Sequence, residues 1–537
     1  MSASSKKKLR NAEQAAKMTE KQLVEQKEAK KLKIYSTLAV VVLIALVVFA
    51  AYVGITRAVA NSGIRERNTV ALTIGDKQLS NAELNYYFIE SVNNFYNQYG
   101  SYASLLGLDM TKPLNENVLD EESGETWADD FLNAAIESAK SIYALTEEAK
   151  ANGFTLPEEA ITSIDSNISN IELYAQLYGY TDAESYVKAM YGNGATLKSL
   201  REYYELTELA RHYQNHYQES LTYSEDELKT ESAENSILYN SYNYNYYYLN
   251  VNNFVEGEKD ANGSYTDAQK AAAVTAAEEA AKALAACTNV EEFNAAIAAL
   301  PMNAENASAT SYSSTDAAYT SMNSLYADWV ADESRKAGNT TYVASVSTDD
   351  NGNETVNGYY VVMYGSTNDN TYSLANVRHI LVSFEGGTYN STTGSYDYTD
   401  VERSAAWDAA DAILTEWKSG AATEESFAAL ANEKSDDGDG TTGGLYEDIY
   451  PGQMVAAFED WCFDNRKAGD TAIVETEYGC HVMYYCGDSE TTYRDHLVTS
   501  ALASNDYNEW YTALVEAVTA TEGDCKYIST DLVLSAS

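Results

Sequence analysis

Five histidines occur in a chain of 537 residues, and two of them stand at the ends of one segment of about a hundred residues. His379 lies within Val377-Arg378-His379-Ile380-Leu381-Val382, and His481 within Thr476-Glu477-Tyr478-Gly479-Cys480-His481-Val482. Between them run Ser435-Asp436-Asp437, Gly443-Gly444-Leu445, Pro451-Gly452-Gln453-Met454-Val455 and Phe458-Glu459, an ordered series of polar groups, glycine turns and apolar side chains. A lone strand histidine is by default a packed core residue; two of them framed by such a series are a candidate site. The other reactive side chains offer less. His212 and His216 sit four apart on a predicted helix, a spacing able to hold a metal, but no further ligands lie near them, and the pair reads as a polar helix face. Five cysteines are too few for a disulfide scaffold, and their number is odd. Cys480 and Cys486 are separated by about 20 Å along one predicted strand and cannot pair; Cys462 could reach one of them, and buried thiols are the reading taken.

The series resembles the parvulin family of peptidyl-prolyl cis-trans isomerases, in the setting of extracytoplasmic foldases of the PrsA and SurA type. The resemblance implies roles residue by residue. His379 and His481 match the family's paired histidines, whose tautomers are linked through hydrogen bonds, and Thr476 matches a hydroxyl of that network. Asp437 falls where family members carry Cys or Asp beside the reacting amide. Leu445, Met454 and Phe458 match the apolar pocket for the proline ring, although the connection from Leu445 to Met454 reads as one residue longer than in compact members. An X-Pro bond interconverts over a barrier of ~18 to 20 kcal/mol because rotation breaks amide resonance. A catalyst needs a pocket for the ring, a dry surrounding and hydrogen-bonding groups set for the twisted amide. Neither metal, covalent intermediate nor cofactor is required.

The elements that must position these residues follow from periodicity. Trp407, Ala410, Leu414 and Trp417 recur at helical spacing and are placed on one face; Thr423 caps a following helix carrying Phe427 and Leu430; a last strand runs through Cys480 to Cys486. In parvulins the first and last strands are central neighbours, which would bring His379 beside His481. Residues 240–366 repeat the framework of 374–488. Tyr246-Tyr247-Tyr248-Leu249 is set against Val377-Arg378-His379-Ile380, Tyr326-Ala327-Asp328-Trp329 against Phe458-Glu459-Asp460-Trp461, Arg335-Lys336-Ala337-Gly338 against Arg466-Lys467-Ala468-Gly469, and Gly358-Tyr359-Tyr360-Val361 against Gly479-Cys480-His481-Val482. On this alignment Tyr248 and Tyr360 replace the histidines and no Gly-Gln-Met turn appears, so the first copy is expected to be a degenerate parvulin-like domain and the second the active one.

Upstream, Val70-Ala71-Leu72-Thr73-Ile74 alternates like a strand, Gly75-Asp76 marks a turn, and Ser80 with Glu83 forms a capping box. Helical periodicity then runs to about residue 220. Residues 68–236 are similar to the chaperone domain of SurA and PrsA type foldases. The segment 489–537 carries Tyr507, Trp510, Tyr511, Leu514 and Val518 on one helical face and looks like the C-terminal helix that completes that domain, with an aromatic groove as holdase surface. The fold class expected is α+β.

Charge places the molecule. Thirty-five basic residues against 81 acidic give −46, a field that works against nucleic acid. Residues 1–33 nevertheless hold ten Lys or Arg, Lys17 among them, and four Glu, leaving 25 basic and 77 acidic for the rest. The 23 uncharged residues 34–56 are long enough to span a ~30 Å hydrocarbon layer. The basic side stays cytoplasmic, so the chain beyond is expected outside the membrane; cleavage after Ala60 is the alternative. In phosphate-requiring parvulins the loop after the first strand carries Lys and Arg, whereas here residues 385–397 hold none. The expected partners are therefore unfolded or partly folded exported proteins with X-Pro bonds, and the membrane through the N-terminal helix. Two competitors of other classes are a non-catalytic holdase and an acidic wall-associated structural protein.

Overall fold

The computed structural model describes residues 2–530 apart from 17–19, 110, 260–262, 307, 350 and 439; Lys17 of the basic segment and residues 531–537 of the tail lie outside the described residues. Two compact units emerge, Met1–Leu221 with Asp506–Ser537, and Thr222–Asn505.

In the first unit, the helix Glu20–Asn61 contains one stretch, Val40–Asn61, long and apolar enough to cross a membrane. Its side chains, Leu43, Val47 and Phe49 among them, are exposed. Strands β1 (Val70–Ile74) and β2 (Lys77–Ser80) form a hairpin through Gly75 in the left-handed region. Ser80 caps the next helix, Asn81–Tyr99: its Oγ accepts from Glu83 N–H (3.3 Å), while Ser80 N–H donates to the Glu83 carboxylate (2.8 Å). Four further helices follow, Trp127–Ala151, Glu158–Leu177, Ala183–Tyr191 and Leu197–Ser220. Leu72, Ile74, Leu84, Phe88, Phe131 and Leu200 share one core. The chain's end returns to this unit. Trp510, Tyr511 and Leu514 pack against Leu145, Ala149, Ala210 and Tyr213, with the Trp510 ring stacked on Tyr217 at 3.7 Å.

The second unit holds two four-stranded antiparallel sheets. The first comprises β3 (Ser241–Asn250), β4 (Tyr312–Ala318), β5 (Thr340–Thr348) and β6 (Glu354–Asn368), in the order β4-β3-β6-β5. The second is built from β7 (Ser373–Ser383), β10 (Leu445–Ile449), β11 (Thr471–Glu475) and β12 (Gly479–Thr492), in the order β10-β7-β12-β11, with a short hairpin of β8 (Thr388–Asn390) and β9 (Ser395–Asp397) outside it. The last strand, β13 (Ala520–Glu522), belongs to the first unit and pairs antiparallel with β1.

The two sheets are wired alike. Gly469 N–H donates to Tyr485 O (2.8 Å) and Gly338 N–H to Tyr364 O (2.9 Å); Arg466 Nε donates to Trp461 O and Arg335 Nε to Trp329 O, both at 3.0 Å. These landmarks fix the register. Tyr485 pairs with Val377 and Tyr364 with Tyr244, so two residues on, Tyr246 stands where His379 stands. The sequence alignment that set Tyr248 against His379 is therefore corrected by two residues. Tyr360 does occupy the place of His481: it pairs with Tyr248, as His481 pairs with Leu381.

Around the second sheet, strand alternation sorts the side chains. Ile380, Val382, Cys480, Val482 and Tyr484 face the helices Asp400–Ser419 and Glu424–Lys434, while Val377, Met483 and Tyr485 face the helix Ala456–Phe463 with Phe458 and Trp461. Thr423 caps the second helix as expected. In the first, Ala406, Ala410, Leu414 and Trp417 are buried but Trp407 is 42% exposed. The buried stripe thus passes through Ala406 rather than Trp407, a correction of one residue in helix phase.

Candidate active site

The site grows out of the central pair β7 and β12. Their antiparallel register sets His379 opposite Met483 and His481 opposite Leu381, so the two histidines lie diagonally on one face. Both are buried, 3% and 5% exposed, and their Nδ1 atoms are 3.1 Å apart. On the far side of each ring stands a hydroxyl or carboxylate. His481 Nε2 is 2.8 Å from Thr476 Oγ1, and His379 Nε2 is 3.1 Å from Asp437 Oδ2. Asp437, His379, His481 and Thr476, named from the sequence, form one continuous chain.

Each end is held by backbone. The Ser435-Asp436-Asp437 turn is stitched to β7: Asp436 N–H donates to Leu381 O (2.9 Å), Leu381 N–H to Ser435 Oγ (3.1 Å) and Ser383 N–H to the Asp436 carboxylate (2.8 Å). At the other end Thr476 N–H donates to Gly479 O (2.9 Å), and Thr476 Oγ1 accepts from Tyr478 N–H (3.2 Å). Gly444 is a required glycine. It lies at φ +64°, its carbonyl accepts from His379 N–H (2.9 Å), and a Cβ there would stand 2.1 Å from His379 O.

The polarity of the chain follows from its acid end. A carboxylate only accepts, so His379 donates from Nε2 and its Nδ1 accepts; His481 then donates from Nδ1, and its Nε2 accepts from the Thr476 hydroxyl. This assignment needs both rings neutral. Burial depresses both: His481 is lowered to about 4 by desolvation, with His379 adding to the effect and Asp437 opposing it, and His379 is lowered by desolvation against the pull of Asp437.

The apolar wall is mostly as expected. Phe458 is buried and meets both imidazoles edge-on, 5.4 Å from each. Met454 packs in the same cluster. Its turn is latched by Gly452 N–H to the Glu459 carboxylate (2.6 Å) and Tyr450 N–H to Gln453 Oε1 (3.2 Å). Leu445 is misplaced by the sequence reading. It lies opposite Arg378, whose guanidinium turns to Glu424 of the helical layer (3.0 Å), so alternation puts Leu445 on the helix side. The next residue, Tyr446, takes the site position: its ring lies 5.0 Å from His379 and its hydroxyl donates to Asp437 Oδ2 (3.0 Å). Sequence reasoning missed it, because only the register of β10 on β7 tells Tyr446 from Leu445.

Of the other candidates, the His216 ring stacks on Phe154 at 5.1 Å, and among the described residues no group of three His, Cys, Asp or Glu is arranged to hold a metal. Cys462 and Cys480 are free buried thiols, with Cys462 pushed up to about 12 by burial.

Comparison with known proteins agrees with this geometry. Residues 359–485 match the family model of the PPIC-type PPIASE domain. Among solved structures, the PPIase domain of TBPAR42 is similar at 24% identity over 21% of this chain and 98% of that one, with a TM-score of 0.17. Peptidylprolyl isomerase PrsA from Bacillus anthracis is similar at 20% identity over 28% of this chain and 59% of that one, with a TM-score of 0.18. For PrsA from Bacillus cereus the values are 22%, 28%, 50% and 0.18. A search of curated proteins finds no match. The segment built around His379 and His481 thus matches a PPIC-type PPIase domain.

Proposed function

We propose that this protein is a membrane-anchored extracytoplasmic foldase whose second sheet domain isomerises X-Pro bonds in exported proteins. The observation that carries the reading is the hydrogen-bonded chain from the Asp437 carboxylate through the neutral imidazoles of His379 and His481 to Thr476, floored by Phe458. A proline ring seats against Met454 and Phe458, beside Tyr446. Asp437, whose side chain is 40% exposed, is the member of the chain that reaches the client amide. The imidazoles hold that carboxylate in place without bringing net positive charge into a dry site. As the amide twists it loses resonance and negative charge drains from its oxygen, so a carboxylate fixed beside that oxygen favours the twisted form over the planar ground state. Lowering the barrier by ~6 to 8 kcal/mol would speed exchange ~10⁴ to 10⁶-fold.

The remaining parts fit this role. The apolar helix anchors the chain, with its basic N-terminal segment cytoplasmic. The helical unit, completed by the returning C-terminal helix, acts as chaperone domain. The first sheet domain is a degenerate parvulin-like copy, supported by the shared strand order and arginine latches. Clients are neutral or basic segments, because the acidic surface and the loop 385–397 without a base disfavour phosphate. The test is proline-isomer exchange on an uncharged peptide, read by NMR. Wild-type protein should exceed the His379→Ala, His481→Ala double variant by at least a hundredfold in kcat/KM; equal rates would refute the enzymatic reading.

A further inference from the structure

The turn that carries Met454 is held partly from outside the PPIC-type segment 359–485. Its tip residues, Gly452 and Gln453, are exposed, and its internal latches are local: Gly452 N–H to the Glu459 carboxylate (2.6 Å), Tyr450 N–H to Gln453 Oε1 and Gln453 N–H to Tyr450 O, both at 3.2 Å. Ligand-binding loops are drawn from the less stable parts of a fold, so any contact that fixes this one bears on the site. Two such contacts come from beyond residue 485. The Ser489 hydroxyl donates to the carboxylate of Asp448. Asp448 stands at φ +53°, and its N–H donates to Asn376 Oδ1 (2.9 Å); a non-glycine residue keeps such a backbone only where its surroundings fix it. Two residues on, the ring of Tyr450 lies on the imidazole of His496, with centroids 4.0 Å and planes 24° apart. Burial lowers the pKa of His496 against the pull of Asp448, so the ring that stacks is neutral at pH 7.

The mount of His496 is rigid. It stands on the first turn of the helix Tyr493–Glu516, within the second unit. Thr492 caps that turn: its Oγ1 accepts from Asp495 N–H (3.1 Å) and donates to the Asp495 carboxylate (2.7 Å). Tyr493 N–H donates to Tyr372 O (2.9 Å) and Arg494 N–H to Asn370 O (2.7 Å). The Arg494 guanidinium adds bonds to Asn240 Oδ1 (2.8 Å), Asp369 O and Ser232 O, the last two at 3.0 Å. Tyr450, by contrast, stands on a loop, so the stack transfers the order of the helix to the turn. We propose that His496 is a positioning residue of the isomerase site, holding the turn 450–454 through Tyr450 so that Met454 keeps its place in the proline pocket. Its contribution is to client binding rather than to the twist, because the relay from Asp437 to Thr476 uses neither ring of the stack. The assignment rests on the isomerase reading for its effect on KM, and not for its effect on the turn.

The test uses the full chain in detergent, with exchange of a short uncharged X-Pro peptide read as separate kcat and KM, and the Met454 methyl signal read by carbon NMR. An aromatic pair is worth a factor of about two to twelve. His496→Ala should therefore raise KM about three- to tenfold with kcat lowered less than twofold, and broaden the Met454 methyl line. His496→Phe, which keeps a flat ring, should bring KM back to within twofold of wild type and sharpen the line. Tyr450→Ala should match His496→Ala, and the double variant should be no worse than either alone. If His496→Ala lowers the melting temperature, His496→Leu, which keeps bulk without the stack, becomes the deciding variant and should show the same rise in KM. An unchanged KM, a fall in kcat without a rise in KM, or a defect that His496→Phe does not relieve overturns the proposal. Absence of exchange in wild-type protein would overturn the isomerase reading instead, and the Met454 line would then decide alone: broadening reversed by His496→Phe leaves His496 as the residue that holds the turn, and an unaltered line overturns that as well.

Discussion

Acidification isolates the feature on which the site depends, the neutrality of its two imidazoles. His481 is held at about 4 by burial, against an ordinary value of 6.5. At pH 7 the folded ring is therefore protonated in only ~0.1% of molecules, whereas an unfolded one is protonated in about a quarter. The pH dependence of a histidine depressed by folding begins as pH approaches 6.5 from above; from there down to about 4 the unfolded chain holds a proton that the folded one does not. Stability falls through that window by on the order of 3 kcal/mol. The fall is confined to the sheet around β7 and β12, so it should appear as lost hydrogen-exchange protection at the Ile380 and Val482 amides between pH 7 and 4.5. In His481→Asn that part of the loss should vanish. Imidazole nitrogen NMR on histidine-labelled protein reads the protonation states directly: at pH 7 the proton of His379 should be on Nε2 and that of His481 on Nδ1, with His481 titrating near 4 and His379 below its ordinary value. A ring titrating near 6.5, or the opposite tautomers, would refute the directional chain and the role given to Asp437 as its acceptor.

Substitutions at four other residues probe the frame. Gly444→Ala places a Cβ against the His379 carbonyl at φ +64° and should destabilise the sheet by about 3 kcal/mol or more, pushing β10 from β7 and abolishing exchange activity. Trp417→Ala should cost ~3 to 5 kcal/mol and Trp407→Ala less than ~0.5 kcal/mol in chemical denaturation, because only the first ring is buried. Tyr446→Phe and Tyr446→Leu should lower kcat/KM by a similar several-fold factor, about 1 kcal/mol, if the hydroxyl that fixes Asp437 is what matters; a loss only in the leucine variant would assign the effect to the ring.

Much of this site is legible in the sequence, and the misses have one physical cause. His379, His481, Asp437 and Thr476 were found because each sits beside residues that only one backbone shape accommodates: a glycine turn, a Ser-Asp-Asp loop, a Thr-Glu-Tyr-Gly corner. The capping box at Ser80 and the cap at Thr423 are readable for the same reason. The three residues placed wrongly all lie in stretches with apolar side chains on both faces. In Gly443-Gly444-Leu445-Tyr446 two consecutive apolar residues compete for one site position, and a one-residue step reverses the face. In Tyr246-Tyr247-Tyr248 no alternation exists to set register. In the helix Asp400–Ser419 an alanine and a tryptophan are neighbours, and size favoured the tryptophan where phase required the alanine. Only the hydrogen-bond ladder resolves such cases.

The corrected register also explains why the first sheet cannot be a weakened version of the second. At the three positions of His379, His481 and Phe458 it has Tyr246, Tyr360 and Tyr326, and the aromatic cluster survives: Tyr326 lies 5.7 Å from Tyr360 and 6.2 Å from Tyr246, ring to ring. What does not survive is the relay. An imidazole carries a donor and an acceptor on opposite sides of a short ring, so two of them on adjacent strands can touch each other and still reach a partner outward. A tyrosine has one oxygen, at the end of a longer ring, and two of them on the same backbone positions cannot connect flush with the strands while gripping partners at both ends. Restoring one histidine would leave the chain broken at its centre. Packing thus tolerates the exchange of aromatic rings that hydrogen bonding does not, so the first sheet keeps an aromatic cluster where the second carries the relay from Asp437 to Thr476.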